Sequence, residues 1–118
     1  MAYTRYSKNF LDAYPFSNIN ANLLLASGTA LSYTVPGTAK MKFRVRFRCS
    51  YTAEIWVCYG AAATDPTSNT ATTTANQELI PLEDCRTVIG GTTLSFLAPT
   101  GTPRVSAQFL LVEDNTNQ

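Results

Sequence analysis

The chain has 118 residues, a length that suits one domain. Hydrophobic residues make up 45% of it and charged residues 14%, so a disordered, highly solvated chain is excluded. The formal net charge is +1 and there is no histidine, so global charge favours neither nucleic acid nor membrane as a partner, and the commonest general base and metal ligand is missing.

The N-terminal segment, residues 1–22, is dense in aromatic side chains. It carries five of them ahead of the first strand that the alternation pattern predicts: Tyr3, Tyr6, Phe10, Tyr14 and Phe16. Aromatic residues give a large contact area, so a free tail is not expected. Two interpretations stay open: a first strand with a short turn that completes the domain, or an arm laid across a neighbouring subunit.

From this point onward, period-2 alternation of apolar and polar residues predicts β-strands. Residues 31–35 alternate and end at Pro36-Gly37, a pair that suits a type II turn. Residues 41–49 give the clearest strand, with apolar residues alternating with Lys or Arg. Residues 53–59 are apolar on both faces apart from Glu54, which predicts a central strand covered on each side.

The second half of the chain alternates strands with turn signals. Residues 60–76 form an Ala/Thr-rich stretch of 17 residues, longer than the roughly 12 to 15 beyond which an irregular loop is usually functional or disordered. Residues 77–82 predict a weaker strand that Pro81 places at an edge or a bend. Residues 86–89 run into Gly90-Gly91, which suits a tight hairpin turn. Two further alternating strands, residues 93–98 and 104–111, flank a Pro/Gly break.

Seven or eight short strands separated by Gly and Pro turns predict an all-β fold, a two-sheet antiparallel sandwich that is jelly-roll-like. We expect an N-terminal segment at residues 1–22, a sandwich domain at 23–114 and a short tail at 115–118. No apolar run is long enough for a signal-peptide core or a membrane span, so we expect a soluble, unexported protein.

The three cysteines leave at least one thiol unpaired. If residues 41–49 and 53–59 form one hairpin that turns near residues 51–52, Cys49 and Cys58 are about four residues out of register. That offset corresponds to roughly 13 Å, which is beyond disulfide reach. We therefore expect reduced, buried cysteines.

Catalytic chemistry finds little support in the sequence. No phosphate-binding glycine motif occurs, and the lack of histidine removes zinc ligand sets and Ser/His or Cys/His dyads. A glycosidase needs two carboxylates across a cleft, whereas the adjacent pairs Glu83-Asp84 and Glu113-Asp114 fall at a predicted turn and near the C-terminus. We expect no catalytic residue, no cofactor and no metal.

A row of cations is the clearest surface feature. Four basic residues share one face of the strand at 41–49, about 6.6 Å apart: Lys42, Arg44, Arg46 and Arg48. The row is open to three interpretations: a solvated face with Glu54 among its cross-strand neighbours, an interface that meets carboxylates of another chain, or a nucleic-acid surface. The last lacks support because base stacking needs aromatics beside the cations, and Phe43 and Phe47 face the opposite way.

Trp56 lies on the opposite strand face from Ile55 and Val57. It either packs under the long loop or the N-terminal segment, or it anchors a protein interface, a role in which Trp is enriched.

Four segments carry a resemblance to a known family: residues 24–37 (LLASGTALSYTVPG), the strand pair within 41–59, residues 85–96 (CRTVIGGTTLSF) and the closing strand at 105–112. In this order they resemble the capsid decoration, or cement, proteins of tailed bacteriophages, of the short jelly-roll type. The resemblance covers residues 22–112.

The resemblance implies a non-enzymatic virion protein that binds the capsid exterior and clamps neighbouring major capsid subunits. It also implies a homo-dimer or homo-trimer, with assembly in the host cytoplasm. We expect no nucleic acid or membrane partner. The contact residues that we predict are the polar row Lys42, Arg44, Arg46 and Arg48 and the apolar anchors Trp56, Tyr3, Tyr6 and Phe10. The alternative is a carbohydrate- or receptor-binding module of a phage tail fibre or spike, suggested by loop 60–76 and the surplus of tyrosines.

Overall fold

A computed structural model describes residues 3–6, 15–50, 54–67, 70–81 and 85–116. These residues form eight β-strands and no helix. The strands are β1 (Asn20–Leu24), β2 (Leu31–Thr34), β3 (Met41–Cys49), β4 (Ile55–Tyr59), β5 (Gln77–Ile80), β6 (Arg86–Ile89), β7 (Thr93–Leu97) and β8 (Arg104–Asp114).

The strands form two four-stranded sheets. The first sheet has the order β1-β8-β3-β6 and the second the order β2-β7-β4-β5. All pairs of named strands are antiparallel, and four of them are nested: β1 with β8, β2 with β7, β3 with β6 and β4 with β5. A long ribbon folded at its middle and wound into two layers gives this order, which is that of a jelly roll. The predicted all-β, two-sheet, jelly-roll-like sandwich is confirmed.

The core lies between the two sheets and consists of the inward side chains of alternate strand positions. Phe43 and Phe109 of the first sheet pack edge to face with their ring centroids 6.3 Å apart. Phe96 of the second sheet contacts Phe47 across the sandwich at 5.8 Å. Phe43, Phe96 and Phe109 are fully buried, so every second residue of β3 is fixed inward and the residues between lie on the outer face of the sheet.

Two predicted strand environments are confirmed. β4 lies between β7 and β5, so it is the central strand that its apolar sequence predicts, and Ile55 and Cys58 are fully buried on its opposite faces. β5 is the edge strand of the second sheet and ends at Ile80, just before Pro81. Proline cannot donate to a sheet ladder, and an edge position avoids that cost.

The predicted hairpin of residues 41–49 and 53–59 is wrong, because β3 belongs to the first sheet and β4 to the second. Cys49 and Cys58 therefore lie on different layers, and no disulfide joins any of the three cysteines, all of which belong to the described residues. Cys58 is buried, whereas Cys49 and Cys85 are half-buried. Burial raises the pKa of the Cys49 thiol.

The Gly90-Gly91 turn is not a hairpin either, since it joins β6 of the first sheet to β7 of the second. Gly91 has a φ of +81°, which L-residues with a Cβ rarely adopt. Gly90 is required for a different reason: a Cβ there would collide with backbone atoms of Pro36 and Thr38. The connection from β6 to β7 is thus in close backbone contact, at Gly90, with the connection from β2 to β3.

Strand β1 crosses the expected domain boundary between residues 22 and 23. Strand β8 ends at the expected boundary between residues 114 and 115. The described residues of loop 60–76 contain no regular element. Ala63 of this loop lies on the outer face of the second sheet, where its amide donates to the buried Ser95 hydroxyl at 2.9 Å. Ala63, Cys58 and Leu97 form a small buried cluster there.

Candidate functional site

The four basic residues of β3 lie on the outer face of the first sheet. Their neighbours along the strand, Phe43 and Val45, are fully buried, and side chains alternate across a strand. Lys42, Arg44, Arg46 and Arg48 therefore form one row, called here the basic row, along the middle of this face.

The residue opposite each cation is set by the strand register. Lys42 lies opposite Glu113 and forms an ion pair with it at 3.4 Å, with both side chains about half exposed. A hydrogen bond from the Asn115 side chain, and then the charge of Lys42, lower the pKa of the Glu113 carboxyl. The β8 residues opposite the three arginines are uncharged: Leu110, Gln108 and Ser106.

The expected cross-strand neighbour of the row, Glu54, is not there. It precedes β4 of the other sheet, and its carboxylate accepts a hydrogen bond from the Trp56 indole N–H at 2.8 Å. The error follows from the wrong hairpin, since β6 and β8 and not β4 flank β3.

The N-terminal segment, residues 3–6, lies alongside β8 in a parallel orientation. The Leu111 amide donates to the Thr4 carbonyl at 2.8 Å, and the Tyr6 amide donates to the Leu111 carbonyl at 3.0 Å. This pairing extends the first sheet beyond the end of β1. Phe10 of the predicted anchors lies outside the described residues.

Tyr3 and Tyr6 have different environments. The Tyr3 ring packs edge to face on Phe43, with centroids 5.2 Å apart, and contributes to the core. The Tyr6 ring lies on the outer face, with the Arg44 guanidinium 4.2 Å from its centroid, a cation–π contact. The expectation that no aromatic accompanies the basic row is therefore wrong at one position, because Tyr6 comes from a distant part of the sequence.

Beside the basic row lies a set of polar side chains, called here the polar grid. Its first cross-strand line is Asn20 of β1, Gln108 of β8 and Arg46 of β3, and its second is Asn22, Ser106 and Arg48. Directly opposed side chains stand on the same side of a sheet about 5 Å apart, and the two lines are about 6.6 Å apart along the strands. The grid thus places four uncharged hydrogen-bonding groups beside two guanidinium groups.

Two depressions follow the polar grid. One of about 380 Å³ is lined by residues of both lines and walled by Pro15 and Phe16. The second, of about 280 Å³, shares Arg48 and Ser106 with it and extends to Arg104 and Ser50. Phe16 is 97% exposed. Within the part of the chain that the structure describes, neither Arg48 nor Arg104 makes an ion pair.

Sequence reasoning missed the polar grid because β1 shows no clear alternation and because the register of β8 against β3 joins residues about 60 positions apart. The one available signal is that Asn20 and Asn22 are two residues apart, which places both side chains on the same face of a strand.

Trp56 lies on the outer face of the second sheet, on the opposite side of the sandwich. It is half-buried, and its register neighbours are Leu97 and the half-exposed Leu79. The predicted anchors Tyr3 and Trp56 therefore do not share a surface with the basic row, whereas Tyr6 does.

A separate cleft of about 410 Å³ opens between the edge strands β5 and β6. Apolar side chains including Phe47, Val57 and Leu94 line it, together with Tyr59, Asn76 and Gln77. At this cleft Arg86 donates two hydrogen bonds of 2.7 Å to the Glu78 carboxylate, which links the two sheets. These hydrogen bonds lower the pKa of Glu78.

Among the described residues, no group of three or more His, Cys, Asp or Glu side chains is placed to hold a metal ion. None of the described segments is a helix that could cross a membrane. The chemistry that the outer face of the first sheet offers is positive charge and hydrogen bonding, which suit the binding of an anionic partner. Comparisons with known protein families, curated proteins and solved structures find no match to this chain.

Proposed function

We propose that this protein is a non-enzymatic virion structural protein that binds the outer capsid surface through the outer face of its first sheet and clamps neighbouring capsid subunits. The major capsid protein is its partner, and it acts on the capsid exterior as a homo-dimer or homo-trimer after assembly in the host cytoplasm. One observation carries the proposal: four cations stand in line on β3, an inner strand, along the outer face of the first sheet.

Electrostatics supports a docking role for this face. Neighbouring cations about 6.6 Å apart repel each other by about 0.6 kcal/mol in water and by more beside protein. A carboxylate-bearing surface relieves that repulsion when it docks. Because a capsid repeats the same surface many times, weak contacts made by an oligomer add up through effective concentration.

The fold suits the same role. β3 is an inner strand held by β8 on one side and β6 on the other, so the basic row is mounted on a fixed backbone. Arg44 is further held by the ring of Tyr6. A preorganised surface loses little side-chain entropy on binding.

The test compares two variants with the same change in net charge. The Arg44→Gln/Arg46→Gln variant removes two positive charges from the basic row. The control Ser32→Glu/Thr34→Glu adds two negative charges to exposed positions of β2 on the other sheet. We expect electron microscopy of virus particles to show lost occupancy for the first variant and normal occupancy for the control. Equal occupancy would refute the assignment of this face, and particles that never carry the protein would refute the function.

A second candidate function, a carbohydrate- or receptor-binding module of a phage tail fibre or spike, is favoured by the β5–β6 cleft. An acidic group (Glu78), amides (Asn76 and Gln77) and an aromatic ring (Tyr59) meet there at the end of loop 60–76. Sugar sites combine such groups around an apolar floor. Glycan-array binding that is lost in Asn76→Ala and kept in the Arg44→Gln/Arg46→Gln variant would support this candidate against the first.

A further inference from the structure

The polar grid differs from the basic row in what it offers a ligand. Apart from the Lys42–Glu113 ion pair, the basic row offers a ligand positive charge. The grid adds Asn20, Asn22, Gln108 and Ser106 in register beside Arg46 and Arg48. Asn20 donates one amide N–H to the Ser17 carbonyl, Asn22 to the Asn20 carbonyl and Gln108 to the Pro15 carbonyl. Each amide therefore offers a ligand its second N–H and its carbonyl oxygen. A ligand that satisfies this surface therefore needs negative charges on one side and a chain of hydrogen-bonding groups on the other.

We propose that the polar grid binds an extended acidic segment of the partner protein, with carboxylates at alternate residues. This inference rests on the proposed function and specifies the partner's chemistry. Alternate residues of an extended chain lie about 6.6 Å apart, which is the spacing of Arg46 and Arg48 along β3. Carboxylates at that spacing meet one guanidinium each, and guanidinium–carboxylate pairs are often bidentate.

The amides favour an extended peptide over a helix. In a helix the backbone N–H and C=O groups are bonded within the helix, so the grid amides would meet only side chains. An extended segment leaves its backbone groups free, and these match the side chains of Asn20, Asn22 and Gln108. A phosphodiester backbone carries no N–H donor for the amide oxygens.

The depressions set the length of the segment. They run from the wall of Pro15 and Phe16, past Arg48 and Ser106, to Arg104. Arg104 is one cross-strand line beyond Arg48, opposite Leu24. Three lines of cations span roughly 13 Å, which is the distance from the first to the fifth residue of an extended chain, so three alternating carboxylates fill the site.

The experiment measures fluorescence anisotropy at low salt with two labelled peptides of the same composition. One alternates Glu and Ser, and the other has all its Glu residues in a block followed by all its Ser residues. We expect the alternating peptide to bind more tightly. Arg48→Gln should weaken it roughly fivefold, whereas the charge-matched control Thr34→Glu on the second sheet should leave it unchanged.

The amide contribution is tested without any change in charge. Asn22→Ala should weaken the alternating peptide, while Asn76→Ala, an exposed asparagine at the distant cleft, should have no effect. Circular dichroism confirms that each variant is folded.

Equal affinity for the two peptides, or tighter binding of polygalacturonate or single-stranded DNA, would overturn the inference. Particle occupancy that depends on the arginines while neither peptide binds would overturn the extended segment and leave the proposed function standing. Selective peptide binding by a protein absent from all particles would refute the proposed function and keep the site.

Discussion

Replacing Tyr3 by Ala tests whether the N-terminal segment is part of the folded domain. Tyr3 is half-buried, packs on Phe43 with ring centroids 5.2 Å apart and belongs to the rim of the core. Truncating a fully buried aromatic residue to Ala costs about 3–5 kcal/mol, so the half-buried Tyr3 should contribute about 2 kcal/mol. Average unfolding entropies convert 1 kcal/mol into about 4 °C for a chain of this length.

We therefore expect Tyr3→Ala to lower Tm by about 8 °C, measured by differential scanning calorimetry. The matched control is Phe16→Ala, an aromatic of the same segment that is 97% exposed, and its Tm should stay within about 2 °C of the wild type. If the two variants melt alike, the Tyr3 ring is not held by this core in solution. That result would refute the packing argument and favour an arm laid across a neighbouring subunit.

Three further predictions concern the sandwich itself. Glu78→Gln should lower the free energy of unfolding by about 0.5 kcal/mol at neutral pH, because the Arg86 hydrogen bonds lower the pKa of Glu78. The difference from wild type, measured by urea unfolding, should shrink as pH falls below about 4.3 and vanish once Glu78 is protonated. A difference that persists in acid would contradict this. Gly90→Ala should prevent folding, because the added Cβ would clash with backbone atoms. Gly91 has open space around it but a positive φ, so Gly91→Ala should lower the free energy of unfolding by about 1 kcal/mol. Thermal melts followed by circular dichroism that rank the two variants the other way would disprove the distinction. Phe109→Ala should lower the free energy of unfolding by about 3–5 kcal/mol, because Phe109 is fully buried between Tyr33 and Phe43. A loss of less than about 1 kcal/mol in a denaturant titration would exclude a central place for Phe109 in the core.

The strands could be predicted from the sequence where one face alone is buried. β3 is the clearest case, because its inward residues, such as Phe43 and Val45, alternate with outward positions. The sequence places a Lys or Arg at each of those outward positions. β1 was not recognised because Asn20, Ala21 and Asn22 alternate too weakly in hydrophobicity. Its place in the sheet comes from pairing with β8, which no local pattern encodes.

The candidate site was predictable only in part for the same reason. Alternation identified the basic row, since it needs no knowledge of neighbouring strands. The wrong neighbour, Glu54, came from the assumption that consecutive strands pair, whereas in this topology β3 and β4 lie in different sheets. The contact of Tyr6 with Arg44 and the lines of the polar grid depend on long-range register and could not be read from spacing.

The nested order of strands has a consequence for synthesis. Ala21 of β1 pairs with Ala107 of β8, and β8 is also the partner of β3, so the first sheet lacks its second strand until the last one emerges from the ribosome. At about 5–20 residues per second this delay is roughly 4–17 s. During it the nascent chain exposes apolar faces and unpaired edges, so we expect it to engage chaperones and, if truncated before β8, to be degraded.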